Sequence, residues 1–178
     1  MVFTHDTSQA LLAAAELVNT LDEPGALSRV ADLDEFFTRF GYSGRFDGDD
    51  VELEAVRSIR PMLRDLLTRD RDDAAVLVNE VLARDATPPR LVRHDGLDWH
   101  VHAVSDDAPL AVRAAVETAT AVLDVIRVDE MSRLAVCADE ACQGIVVDLS
   151  RNRSKKFCST TCGNRNAVNA FRARRKLA

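Results

Sequence analysis

The chain has 178 residues, 47% hydrophobic and 29% charged, enough for one domain with its own core and a small appended module, and too apolar for a disordered chain. It has no apolar run of membrane-spanning length, and its start, MVFTHDTSQA, lacks the basic lead and apolar stretch of an export signal, so a cytoplasmic location is expected. The net charge of −6 hides a segregation: residues 151–178 carry nine Lys or Arg and no acid, a local +9, while the other 150 residues carry fourteen Arg and all 29 acids, a local −15. An acidic body repels polyanions, so any contact with one belongs to the C-terminal end. Abundant Arg and Ala with scarce Lys is in keeping with a GC-rich bacterial genome.

Helical spacing of Leu11, Leu12, Ala15 and Val18 predicts a first helix over 8–21, stopped at Glu23-Pro24-Gly25. Residues 32–40 form a short second helix with Leu33, Phe36, Phe37 and Phe40 inward. A loop with three glycines, 41–48, precedes a helical pattern over 50–69, which Pro61 should kink or split. Asp49, Asp50, Glu52 and Glu54 suit the positive end of that helix's dipole rather than a catalytic acid pair. A further helix over 72–84 stops near Pro88-Pro89.

The period then changes. Residues 90–94 and 97–102 flank Asp95-Gly96, a hairpin signal. His100 and His102 share one face, with His94 across the turn. Three histidines there can bind a metal, but alternation with Trp99 and Val101 reads more simply as a half-exposed strand with its polar residues outside. Residues 108–131 return to helix, apolar around so much of the circumference that it should be central to the core.

All four cysteines lie between 137 and 162, spaced Cys137-x4-Cys142-x15-Cys158-x3-Cys162. Two close pairs on a short chain suit one tetrahedral Zn2+, and four thiolates leave no open position for catalysis. Disulfides fit poorly without an export signal. The first pair brackets a turn, ADEA; Ile145, Val146, Val147 and Leu149 read as a strand. The second pair is one helical turn apart, with Ser159, Thr160 or Thr161 able to cap the helix that follows. Knuckle, hairpin and helix start together suggest a treble-clef-like finger, too small to hold itself without its metal.

Cys162-Gly163-Asn164-Arg165 spells the signature of the CGNR zinc finger family, and the chain resembles that family also in Asp148-Leu149-Ser150-Arg151-Asn152-Arg153 and Phe171-Arg172-Ala173-Arg174-Arg175. Glu16-Leu17-Val18-Asn19-Thr20-Leu21 resembles the start of the helical ABATE domain that precedes such fingers in bacterial proteins regarded as stress-induced transcription regulators. The sequence departs from the family at Phe157, where a Trp is usual after the basic pair Lys155-Lys156, and at Val146, where an aromatic is common. The resemblance implies a stress-responsive regulator that binds DNA through its finger.

The expected architecture is mainly α with a small β-hairpin: a helical N-terminal domain, 1–132, for ligand sensing or dimerisation, and a C-terminal treble-clef-like zinc finger, 133–178. Arg151, Arg153, Lys155 and Lys156 precede the third ligand, and Arg165, Asn169, Arg172 and Lys176 share a face of the last helix, which also carries Arg174 and Arg175. These residues are the expected DNA contacts: Lys and Arg neutralise phosphates, Arg reads guanine and Asn adenine. Val168 and Phe171 are expected to pack on the hairpin. Arg165 pairing with Asp148, or Asn164 bonding the knuckle, is an equally good structural role for those two. RNA is a weaker partner, since aromatic platforms for stacked bases are lacking. No nucleophile elbow, phosphate loop or dinucleotide fingerprint points to an enzyme. Competing readings are a zinc-supported module for an acidic protein partner and a small-molecule-binding protein whose finger only buttresses the core. A small-molecule effector and a homodimer fit the regulator reading.

Overall fold

The computed structural model describes residues 3–93, apart from 22 and 24, and residues 98–177. Five helices form the body: α1 (His5–Asn19), α2 (Val30–Arg39), α3 (Asp50–Thr68), α4 (Arg71–Asp85) and α5 (Leu110–Arg127). Their starts follow the polar residues before them. Asp49 accepts from the Glu52 N–H, and Asp70 from those of Asp72 and Asp73, so orphan donors are satisfied where the chain turns helical. Central placement of α5 is as expected: it packs on α1, α3 and α4 and buries Leu110, Val116, Ala119, Val122 and Val125. Buried Ala13, Ala14 and Ala15 of α1 and Ala115, Ala119 and Ala121 of α5 are small enough to let two packed helices approach closely.

Pro61 does not split α3, which runs unbroken from Asp50 to Thr68. A proline removes the N–H that would bond the carbonyl four residues back, here Arg57. The Nε of Arg60 donates to that carbonyl at 3.1 Å, while its Nη1 donates to Thr20 Oγ1 at 3.0 Å. The neighbour in sequence thus supplies the missing donor.

β1 (Arg90–Val92) and β2 (His100–His102) pair antiparallel, with Arg90 opposite His102 and Val92 opposite His100. His94, Asp95 and Gly96 lie outside the described residues. The faces are the reverse of those expected from alternation. Trp99 and Val101 are exposed, whereas His100 and His102 are half-buried and turn toward the body.

Helix α5 ends at Arg127, short of the expected 131, and a 3-10 turn, Met131–Arg133, leads into a second antiparallel hairpin of β3 (Leu134–Val136) and β4 (Ile145–Val147). This hairpin packs on α1 and α3, and Leu134, Ile145 and Val147 join the core of the body. At about 1.5–3 kcal/mol for each fully buried aliphatic side chain, that contact fixes where the cysteines stand. The last helix, α6 (Thr160–Leu177), begins at the second cysteine pair.

Candidate zinc centre and nucleic-acid interface

Cys137 follows β3, and the turn 138–141 closes when the Cys142 N–H donates to the Asp139 carbonyl at 2.8 Å. The Cys137 N–H in turn donates to the Gly144 carbonyl at 2.8 Å, so both ligands of the first pair are set by backbone bonds of one knuckle. Across from it, Ser159 caps α6: its Oγ accepts from the Cys162 N–H at 3.2 Å, which selects Ser159 among the three expected caps. Cys158 and Cys162 therefore sit at the helix start, where the dipole favours thiolate.

The four sulfur atoms lie within 4.8 Å of one another. Cys142 and Cys158 are 3.5 Å apart, and Cys158 and Cys162 3.8 Å. Sulfurs about 2.3 Å from a tetrahedral zinc stand roughly 3.8 Å apart, so the cluster has the dimensions of a four-thiolate zinc site. Burial pushes the Cys158 thiol up strongly, and the neighbouring sulfurs add to it; burial also raises Cys142. For Cys137 burial is outweighed by N–H donation from Asp139 and Cys158, and its thiol falls. A bound cation removes the repulsion among four thiolates held this close. Val146 and Phe157 pack beside the cluster, so the two departures from the family pattern fill the apolar shell of the metal site.

Sequence reasoning missed the clamp on this knuckle. Asn19, the last residue of α1, presents its side-chain amide to β4 as a neighbouring strand would. Its Nδ2 donates to the Ile145 carbonyl at 3.1 Å, and its Oδ1 accepts from the Ile145 N–H at 2.5 Å. Arg64 of α3 donates to the Gln143 carbonyl at 2.6 Å. Between them Gly144 leaves no room for a side chain: a Cβ there would stand 2.8 Å from Cys158 Sγ and 3.2 Å from Asn19 Oδ1. The only signal in the sequence was Asn19 within the N-terminal motif.

The expected contact residues divide into two sets. Arg153, with a positive φ of 49°, turns back onto the body, where its guanidinium meets Glu130 at 2.8 Å and Ser132 Oγ at 3.3 Å. Glu130 also holds the buried Arg133, which donates to the carbonyls of Asp148 and Ser150. Arg165 pairs not with Asp148 but with the buried carboxylate of Asp139 at 3.2 Å. Asp148 is instead used by the loop, accepting from the N–H groups of Ser150 and Lys155. Arg153 and Arg165 are therefore tied.

Arg151, Lys155 and Lys156 are exposed on the loop, and Asn164, Asn169, Arg172, Arg174 and Arg175 on α6. Lys176 is on the last turn of that helix, in register with Arg165, Asn169 and Arg172. Among the described residues no hydrogen bond joins Asn164 to the knuckle; Asn166 instead donates to the Cys162 carbonyl at 3.1 Å. Val168 and Phe171 do not pack on the hairpin. They are 46% and 54% exposed, with Arg175 over the Phe171 ring. Beyond its first two turns α6 stands clear of the body, since the 18-residue helix is longer than the surface the finger offers it.

Residues 133–175 match the CGNR zinc finger. Residues 12–129 match ABATE, described as "Putative stress-induced transcription regulator". The chain belongs to the ABATE family. A search among curated proteins gives no match. The ABATE body and CGNR finger follow one another with three residues between the matches, and the four-cysteine cluster of the finger is built for one structural zinc. Among the described residues, no helix of this ABATE protein is long and apolar enough to cross a membrane.

Proposed function

We propose that the protein is a DNA-binding transcription regulator whose CGNR finger presents α6 and the 150–157 loop to duplex DNA. One observation carries this reading. From Ala167 to Arg175 every described side chain of α6 is exposed, and the segment carries Arg and Asn with no acid. A helix of 18 residues is about 27 Å long, and a major groove about 12 Å wide admits it. Arg151, Lys155 and Lys156 supply phosphate contacts, Asn169 and Arg172 share the face where base edges would be read, and Arg174 and Arg175 on the other sides of α6 face the flanking phosphates. Arg165 steadies the knuckle rather than touching DNA. The ABATE body holds this head at a fixed angle and is the part open to an effector.

A second reading draws on the exposed Val168 and Phe171, which suit a docking helix for an acidic protein partner. Selection of duplexes from a random pool by the zinc-loaded protein, followed by a salt series, separates the two. Enrichment of one motif, with affinity falling steeply as salt rises, supports the DNA reading. No binding at low salt overturns it in favour of the protein partner.

A further inference from the structure

The body carries an open cavity of about 380 Å3 that the finger does not line, a size within the range of small-molecule sites. Its walls come from the first half of α1, the loop after α2, β2 with the residues after it, and α5. Ala10, Ala13, Val104, Val116 and Ala121 give it an apolar side.

Its polar side is rich in acceptors. Asp6, Asp106 and Glu117 line it, with Tyr42 and the histidines of β2. The Nδ1 of His100 lies 2.8 Å from the Asp98 carbonyl, and that of His102 lies 3.1 Å from the Asp106 carboxylate. The two Nε2 atoms are 3.1 Å apart, within hydrogen-bond distance of each other.

The two arginines of the walls are already committed. Arg113 donates to the carbonyls of Ala108, Ser43 and Arg45, and Arg39 pairs with Glu16. Exposed His5 completes the titratable lining. Glu117 forms no hydrogen bond or ion pair among the described residues, and burial pushes its carboxyl up to about 7 although the charge of Arg113 pulls the other way. A metal ion is a poor occupant, because the four cysteines are the only group of three or more close metal-ligating side chains among the described residues.

We propose that this cavity binds a small organic cation, an amine or amidine on a compact apolar body, with its charged head against Glu117 and its body against Ala13, Val116 and Ala121. The site stands whether or not the finger binds DNA. Benzylamine, benzyl alcohol and benzoate share one ring and differ in head-group charge, which makes them the probes. Titrated calorimetrically into the zinc-loaded full chain at about pH 8, where amine and carboxylate are both charged, benzylamine should bind with Kd on the order of 1 mM. The alcohol should bind about tenfold more weakly and benzoate not at all. Glu117→Gln should erase the preference for the amine and leave the alcohol unchanged. On the unaltered protein, carbon-13 NMR of the Glu117 carboxyl should show its titration midpoint falling when benzylamine saturates the site. Benzoate binding as well as the amine, no amine binding at millimolar concentration, an unchanged preference in Glu117→Gln, or an unmoved midpoint would each overturn the proposal.

Discussion

The two halves of the finger are held by different means. The β3–β4 hairpin is built into the body: Leu134, Ile145 and Val147 share its core, and Asn19 and Arg64 bond its backbone. Helix α6 meets the rest through its first two turns, where Cys162 and the Arg165–Asp139 pair anchor it just after Cys158, and from Ala167 on its described side chains are exposed. One half is placed, and the other is presented. A helix this little packed on its own domain depends for its position on the metal cluster and on the knuckle beneath it.

Replacing Cys158 should break the contrast outright. Cys158→Ser is expected to lower bound zinc from one ion per chain to none and to release α6, seen as lost helicity and a protease-sensitive C-terminus, because a structural zinc contributes most of the stability of so small a module. The body should keep its helices. Asn19→Ala attacks the placed half. It leaves the buried N–H and carbonyl of Ile145 without partners and should cost about 2–4 kcal/mol in urea unfolding, with zinc still bound.

Glu117→Gln sharpens the picture of the body. A carboxyl raised from 4.5 to about 7 by folding makes the folded state bind more protons than the unfolded one between those values. Stability should therefore fall as pH rises from about 4.5 to about 7, then level off. In Glu117→Gln that fall should be missing from a series of thermal melts, the difference from wild type isolating this one group. The presented half should give the smallest stability effects. Arg172→Ala should stay within about 0.5 kcal/mol of wild type, yet weaken DNA binding and reduce the salt slope by about one. Arg153→Ala, whose charge already faces Glu130, should leave that slope unchanged. Equal losses from the two would abolish the distinction between tied and free arginines.

What could be read from the sequence was local. Four cysteines within 26 residues announce a metal because the ligands need no distant partner, and the body's helices follow from apolar spacing of three and four. Asn19 stands out in the sequence only as part of a motif, because its partner Ile145 is 126 residues away. A ligand site among the body's helices with the hairpin as one wall was an expectation, but its lining was not legible: four elements far apart in the chain build it, and alternation along β2 cannot say which face turns inward. Trp99 and Val101 looked like core and are exposed. Arg153 was indistinguishable from Arg151 until the backbone turned it toward Glu130. That Pro61 leaves α3 unsplit was not legible, because a rule about one residue ignores what its neighbour Arg60 can donate.

Helix α1 has a part at each of its ends. Ala10 and Ala13 of its first half line the cavity, and Asn19 at its last residue grips the strand beside Gly144 and the zinc cluster. Fifteen residues of helix make a strut about 22 Å long, and close packing against α5 keeps it from bending. Cavity and knuckle are thus joined by a single stiff part. If an occupant of the cavity favours one setting of that strut and the DNA-bound finger favours another, each must weaken the other's binding by the same factor, whichever arrives first.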